Sequence, residues 1–364
     1  VASAGDVNGD GYSDMIVGAP GADFGQAGEG KAYVFPGSAS GVNTAPAWSF
    51  ESNQTGASFG YSVSTAGDIN ADGYSDIVVG APLFDSSQTD EGRVFVFYGS
   101  ATSASTTPSW SGGIGQSGAQ FGTSVACVGD LNKDTYSEIA VGAPNADSGQ
   151  TDEGMVFVYR GSLLGVNSTP AWVGEGNQAN AHYGWSIASA NDINGDGYAD
   201  IVVGAPDANA DADGATEGRV YAYYGSTTFP QASASWFADT QQDGADFGTS
   251  VSSAGDVNGD GYCDLIIGIP NFQNGQTGEG RAVVYYGGAS GPGTVPNWTM
   301  EVNQPNAEFG FAVSGGGDIN GDGYADVVVG APSYTNGQQS EGSMFAYFGS
   351  ATGLSLAANM TAES

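Results

Sequence analysis

The sequence predicts an all-β fold, a β-propeller of six four-stranded blades, and three observations carry that prediction. An acidic loop recurs six times at nearly constant spacing. Every copy is flanked by runs of β-branched and aromatic residues, and no segment has helical period. The loops begin at Asp6, Asp68, Asp130, Asp192, Asp256 and Asp318, which are 62, 62, 62, 64 and 62 residues apart.

Each unit contains the same elements in the same order. In the second copy, "FGYSVSTAGD" is a strand that runs into the acidic loop. "DIVVGAP" is a short apolar run ending in Gly-Ala-Pro, as a buried strand would be. A polar loop that varies between copies follows, then "EGRVFVFYGS", rich in Val, Phe and Tyr. The fourth element, "TTPSWSG", carries Trp110. Four strands repeated about every 60 residues suit propeller blades better than the shorter coils of a solenoid. The blades are expected at about 1–58, 59–120, 121–182, 183–246, 247–308 and 309–364, within one domain, 1–364. The final stretch Gly349–Ser364 aligns with Gly37–Ser52, and Val1 aligns with Val63. Six blades with neighbouring termini is therefore the expectation, with a seventh blade missing from this chain as the alternative.

Composition limits the function classes. The 364 residues are 40% hydrophobic, enough for a sizeable core, but 40 acids face only 6 bases and leave a net charge of −34. Such a surface repels phosphate backbones, which argues against nucleic acid and anionic membranes as partners. No apolar run approaches the roughly 18–20 residues of a membrane span. The chain opens within a repeat, which is read as the removal of a leader and of further protein. Cys127 and Cys263 fill slots that hold small residues in other repeats, so two packed thiols are expected rather than a disulfide.

The acidic loop has the donor pattern of a calcium site. Its first, third and fifth positions supply side-chain oxygens, its seventh a backbone carbonyl, and an acid at the ninth closes the shell. The proposed ligands in the first two loops are Asp6, Asn8, Asp10, Tyr12 and Asp14, then Asp68, Asn70, Asp72, Tyr74 and Asp76. The next two loops supply Asp130, Asn132, Asp134, Tyr136 and Glu138, then Asp192, Asn194, Asp196, Tyr198 and Asp200. The last two supply Asp256, Asn258, Asp260, Tyr262 and Asp264, then Asp318, Asn320, Asp322, Tyr324 and Asp326. A plain turn gains nothing from three carboxylates within nine positions, and without a cation they repel one another. Five to six Ca²⁺ ions are expected. The Asp130–Glu138 site should be the weakest, because Thr135 replaces the glycine and Lys133 brings a positive charge into the loop.

Phe59-Gly60, Phe121-Gly122, Phe247-Gly248 and Phe309-Gly310 open units, with Tyr183-Gly184 as a variant. Gly18-Ala19-Pro20 recurs at Gly80, Gly142, Gly204 and Gly330, and as Gly268-Ile269-Pro270. With the Asp-x-Asn-x-Asp-Gly-x-x-Asp loop between them, the chain resembles the FG-GAP repeats of integrin α-subunit propellers and their bacterial relatives. The resemblance covers essentially the whole chain. It implies a calcium-bearing propeller outside the cell or at its surface that serves adhesion or recognition. Integrin propellers have seven blades and carry the loop in only some; here there are six units and all have it. Some fungal lectins share the architecture.

Other features have plainer readings. Glu29, Glu91, Glu153, Glu217, Glu279 and Glu341 each precede a glycine before the third strand. Four of the six bases, Lys31, Arg93, Arg219 and Arg281, follow two residues later, so each Glu is expected to pair with its own base. Trp48, Trp110, Trp172, Trp236 and Trp298 share one slot with Met360 and are read as packing. His182, the only histidine, is read as a blade-edge surface residue, and the Asn-x-Ser/Thr sequons are no more than chance gives. The loops after Gly-Ala-Pro, such as Asp207–Thr216, vary most and are where a ligand is expected. No nucleophile elbow, P-loop or dinucleotide motif appears, and the expectation is a binding protein, not an enzyme. Its expected ligand is an extracellular protein, with a glycan or a structural role in a surface layer or filament as alternatives.

Overall fold

A computed structural model describes residues 1–210, 214–231 and 233–363. Positions 211–213 of the Asp207–Thr216 loop lie outside the described residues. Two compact units, Val1–Trp185 and Ser186–Ser364, each hold three blades and are described separately.

In the first unit, blade one is β1 (Ala2–Gly5), β2 (Asp14–Ala19), β3 (Lys31–Phe35) and β4 (Trp48–Glu51). Blade two is β5 (Ser62–Gly67), β6 (Asp76–Ala81), β7 (Arg93–Phe97) and β8 (Trp110–Gly112). Blade three is β9 (Ser124–Gly129), β10 (Glu138–Ala143), β11 (Met155–Tyr159) and β12 (Trp172–Glu175). In the second unit, blade four is β13 (Ser186–Asn191), β14 (Asp200–Ala205), β15 (Arg219–Tyr223) and β16 (Trp236–Asp239). Blade five is β17 (Ser250–Gly255), β18 (Asp264–Ile269), β19 (Arg281–Tyr285) and β20 (Trp298–Met300). Blade six is β21 (Ala312–Gly317), β22 (Asp326–Ala331), β23 (Ser343–Tyr347) and β24 (Met360–Glu363). Each blade is an antiparallel meander with its strands in chain order. The fold is all-β, with the six four-stranded propeller blades the sequence predicts.

The second strands are continuous apolar runs because both of their faces are covered; every residue of β6, β10, β14 and β18 is buried. The core lies between successive blades. Ile69, Val78 and Val94 of blade two pack with Phe121, Ile139, Val141 and Phe157 of blade three. Trp236 and Val220 of blade four pack with Phe247, Leu265 and Tyr285 of blade five.

The recurring glycines are explained by the same blade contacts. A Cβ on Gly18 would lie 1.9 Å from the carbonyl oxygen of Gly60 in the next blade. Gly30, at φ +76°, forms an isolated parallel bridge with Phe59, and a Cβ there would fall 2.3 Å from the Phe59 oxygen. The Phe-Gly of one blade is therefore seated on the Gly-Ala-Pro and Glu-Gly of the blade before it, where no side chain fits.

The tryptophans pack as predicted. Trp48 Nε1 donates to Ser105 O at 2.8 Å, Trp236 Nε1 to Gly293 O at 2.9 Å and Trp298 Nε1 to Ser355 O at 3.0 Å, each in the following blade. Their rings meet Phe97, Tyr285 and Tyr347 edge-on. Blade six, the last in the sequence, differs. Met360 is 51% exposed, and Ile319 is 43% exposed where Val7, Ile69 and Val257 are fully buried. Both cysteines are free thiols. His182 is half-buried and lies 6.5 Å from the ring of Trp185.

Candidate metal-binding loops

In every blade the first strand ends in a bulge that turns the chain into the acidic loop; in blade two the register shifts between Thr65 and Gly67. The loop then folds around its own carboxylates. Asp68 Oδ1 accepts the N–H of Asp72 at 3.0 Å, and Oδ2 that of Gly73 at 2.9 Å. Asn70 Oδ1 accepts the same Asp72 N–H at 2.9 Å, and Asp72 Oδ1 accepts that of Tyr74 at 3.0 Å. Loops one, four, five and six repeat these bonds through Asp6, Asp192, Asp256 and Asp318. The first, third and fifth side chains are thereby gathered on the solvent side, and the amide of Asn70 lies 3.0 Å from Asp72 Oδ2.

The ninth-position acid sits deeper. Asp76 is fully buried; its Oδ2 accepts Ile69 N–H at 3.0 Å and its Oδ1 accepts Gly99 N–H at 2.9 Å. Burial pushes Asp76 up to about 7, against the lowering of those two bonds, and the charges of Asp72 and Asp68 raise it further. Asp200 and Asp264 are likewise pushed up to about 7, and Glu138 to about 8. Each oxygen of Asp76 accepts one backbone donor and keeps a lone pair, the donor chemistry a hard cation takes. No three His, Cys, Asp or Glu side chains among the described residues are grouped as a metal cluster.

The third loop keeps the same bonds, Asp130 accepting the N–H groups of Asp134 and Thr135 at 3.1 and 2.8 Å, with different residues at its turn. Thr135 sits at φ +77° and Lys133 at φ +61°, and the longer Glu138 reaches Leu131 N–H at 2.8 Å while its other oxygen meets the Asn132 amide at 3.4 Å.

The seventh-position tyrosines have a side-chain role the sequence reading missed. A Cβ on Gly9 would lie 2.7 Å from Tyr74 Cε1, on Gly195 2.4 Å from Tyr262 Cε1, and on Gly259 2.6 Å from Tyr324 Cε1. Each ring thus lies against the preceding blade's loop and links neighbouring loops. The recurrence of Tyr in all six copies was the available signal.

At the opposite end of each blade, the expected pairing of each Glu with the base two residues later is not what the structure shows. The glutamates cap the loop between the second and third strands. Glu29 Oε1 accepts the N–H groups of Phe24 and Gln26, and Glu91 accepts those of Ser87 and Gln88. The bases pair across to the fourth strand: Lys31 with Glu51 at 3.1 Å, Arg219 with Asp239 and Arg281 with Glu301 at 2.8 Å. Buried backbone donors in the loop outbid the base for the inward-turned glutamate. A second device was also missed. Gln54 grips the backbone of Asp85 through both ends of its amide, at 2.7 and 2.6 Å, and Gln116, Gln242 and Gln304 repeat the clip in later blades. The loops that differ most between blades are therefore held rigidly at their bases.

Repeated blades, interlocked acidic loops and the Phe-Gly/Gly-Ala-Pro seat define a blade-repeat propeller protein. The FG-GAP repeat model matches residues 1–35, 59–97, 121–159, 183–223, 247–285 and 309–343, so the chain belongs to the FG-GAP repeat family. It is 34% identical to integrin alpha-5 of Xenopus laevis over 212 residues, which is 56% of this chain and 19% of that protein. It is 33% identical to integrin alpha-V of Gallus gallus over the same shares, and 38% identical to human integrin alpha-7 over 40% of this chain and 12% of that protein. The chain thus spans less than a fifth of these relatives' length.

Among solved structures, that of the exotype rhamnogalacturonan lyase YesX covers 93% of this chain and 54% of its own, at 12% identity and a TM-score of 0.48. The expectation that this chain is not an enzyme is corrected on this point, since the structure matched is an enzyme's. At that TM-score the likeness assigns no chemistry to this chain.

Proposed function

We propose that this chain is an extracellular, calcium-stabilised adhesion-type module that binds a protein partner through the loops joining the second and third strands of its blades. The observation that carries the reading is the match of all six repeats to a family whose similar members here are integrin α-subunits, proteins of the cell surface. The loops themselves support it: they vary between blades while glutamate caps and glutamine clips fix their bases, so little conformational freedom is lost on binding. No helix among the described residues is long and apolar enough to cross a membrane.

Calcium is assigned to the six loops. The first, third and fifth side chains of each, from Asp6, Asn8 and Asp10 through to Asp318, Asn320 and Asp322, would hold the ion with the carbonyl of the seventh residue. The ninth acid would close the shell through its free lone pairs. The ion neutralises the loop and pins the first hairpin of each blade; its role is structural.

The test is capture of partner proteins by the chain in calcium buffer, repeated after replacing the Ser86–Asp90 and Asp147–Asp152 loops with Gly-Ser sequences. Capture that survives both replacements would refute the assignment of binding to these loops.

A further inference from the structure

The strand-three base and the residue 20 positions later face each other across β-strands three and four. In blades one, four and five this position joins a base to an acid, as Lys31–Glu51, Arg219–Asp239 and Arg281–Glu301. Blade three has Met155 opposite Glu175, and blade six Ser343 opposite Glu363. Blade two alone has a base with no acid: Val94 pairs with Gly112, which sets Arg93 opposite Gly113.

Arg93 makes no ion pair among the described residues. Its Nε and Nη2 donate to Ser111 Oγ at 3.3 and 3.0 Å, and its Nη1 to Ser86 Oγ at 2.9 Å. Three of its five N–H groups are thus spent on neutral hydroxyls, and its guanidinium carbon lies 5.8 Å from the centre of the Phe84 ring. The Glu91 carboxylate lines the same cleft but makes no direct ion pair with Arg93, its oxygens being taken by Ser87 and Gln88 of the loop. Burial pushes Glu91 up, but hydrogen bonds from Ser87, Ser86 and Gln88 outweigh that and hold it below its usual range. Gly113 borders a cleft of about 380 Å³, lined also by Ser86, Glu91, Arg93, Trp110, Ser111 and Tyr159. A guanidinium without a direct ion pair is conspicuous in a chain with 40 acids and 6 bases.

We infer that this cleft receives the carboxylate of an aspartate or glutamate side chain presented by the protein partner. In blades four and five the same guanidinium edge, Nε with Nη2, holds one carboxylate oxygen at 2.8–3.3 Å. The partner's acid would supply what Gly113 cannot, displacing Ser111 from a charge-assisted bond that a hydroxyl fills less well. The opening lies beside the Ser86–Thr89 segment, so the inference rests on the protein-binding reading and names the chemistry of its contact.

The test uses the full chain in calcium buffer with N-acetyl-glutamate N-methylamide as probe, followed by the side-chain Nε–H resonance of Arg93. The neutral glutamine counterpart and galacturonate serve as the other arms. Saturable binding of the acidic probe is expected, on the order of millimolar for one charge-assisted pair, with none for the glutamine counterpart. Arg93→Gln should abolish it. Gly113→Glu should weaken it at least tenfold by restoring the intramolecular pair, with an unchanged unfolding temperature showing that both variants fold. Probe binding that persists in Arg93→Gln overturns the site. Galacturonate bound more tightly than the peptide acid overturns the assignment to a protein side chain. The Asp147–Asp152 replacement leaves Arg93 and the cleft lining in place, so partner capture by that chain tests the protein-binding reading separately.

Discussion

Asp76 accepts the backbone N–H of Gly99 at 2.9 Å, tying the first residue of β6 to the turn that follows β7. The bond needs an acceptor at Asp76 but not a charge, and the buried site disfavours the charge. Asp14, Asp200, Asp264 and Asp326 make the same bond to Gly37, Gly225, Gly287 and Gly349.

A pH dependence follows for the metal-free chain. Asp76, Asp200 and Asp264 titrate near 7 when folded, raised by burial first, against 3.8 as the ordinary value. Between those limits the folded state holds protons the unfolded state has released, so stability falls as pH rises from about 4 to about 7. Glu138, pushed up to about 8, extends the fall slightly. Urea unfolding in chelator across pH 4.5–8 measures it; a midpoint that climbs through this window would contradict the buried, uncompensated acid.

Calcium should reverse that trend by supplying the missing positive charge. Each filled site adds about 2.7 kcal/mol at 100-fold saturation. Elemental analysis is expected to find five or six ions per chain, and chelation to lower the unfolding temperature. Asp72→Asn should lower the calcium-dependent rise more than Asp134→Asn if the third site, with Thr135 for glycine and the charge of Lys133, is the weakest as proposed. Equal effects of the two variants would remove the distinction between those loops.

Gly30→Ala should cost about 2–4 kcal/mol, combining a strained positive φ with a Cβ that collides with Phe59 O. Gly41→Ala, also at positive φ but with nothing within 4 Å, should cost only about 1 kcal/mol. Chemical denaturation of the two variants separates backbone strain from blade seating. A Gly30 variant no less stable than the Gly41 variant would show that the seat is not tight.

Trp298→Ala should cost about 3–5 kcal/mol, through loss of the edge-on packing with Tyr347 and of the bond to Ser355. Met360→Ala, in the equivalent slot but half-exposed, should change stability by less than about 0.5 kcal/mol. Thermal unfolding of both variants checks the contrast, and comparable losses would mean that Met360 is covered in solution.

Most of the fold could be read from the sequence because its signals are local and sixfold. Runs of β-branched and aromatic residues and continuous apolar runs marked the strands, glycine and proline their ends, and repetition the blade count. The donor types of the acidic loop were equally legible, since Asp68, Asn70, Asp72 and Asp76 lie within nine residues. The partners of Glu29, Lys31 and Gln54 were not. Spacing of two suggested Glu29 with Lys31, whereas Lys31 meets Glu51 and Gln54 meets the backbone of Asp85 in the next blade.

By itself the sequence determined the repeated strand order, the six acidic loops and the strongly negative charge, because each depends on residue type and short spacing alone. Tertiary structure decided which oxygens face solvent and which are buried, which glycines have no room for a side chain, and that Arg93 has no acid opposite it on the fourth strand. Those outcomes depend on register between strands and on packing between blades, which bring together residues 20 to 60 positions apart, and residue types alone do not specify that alignment.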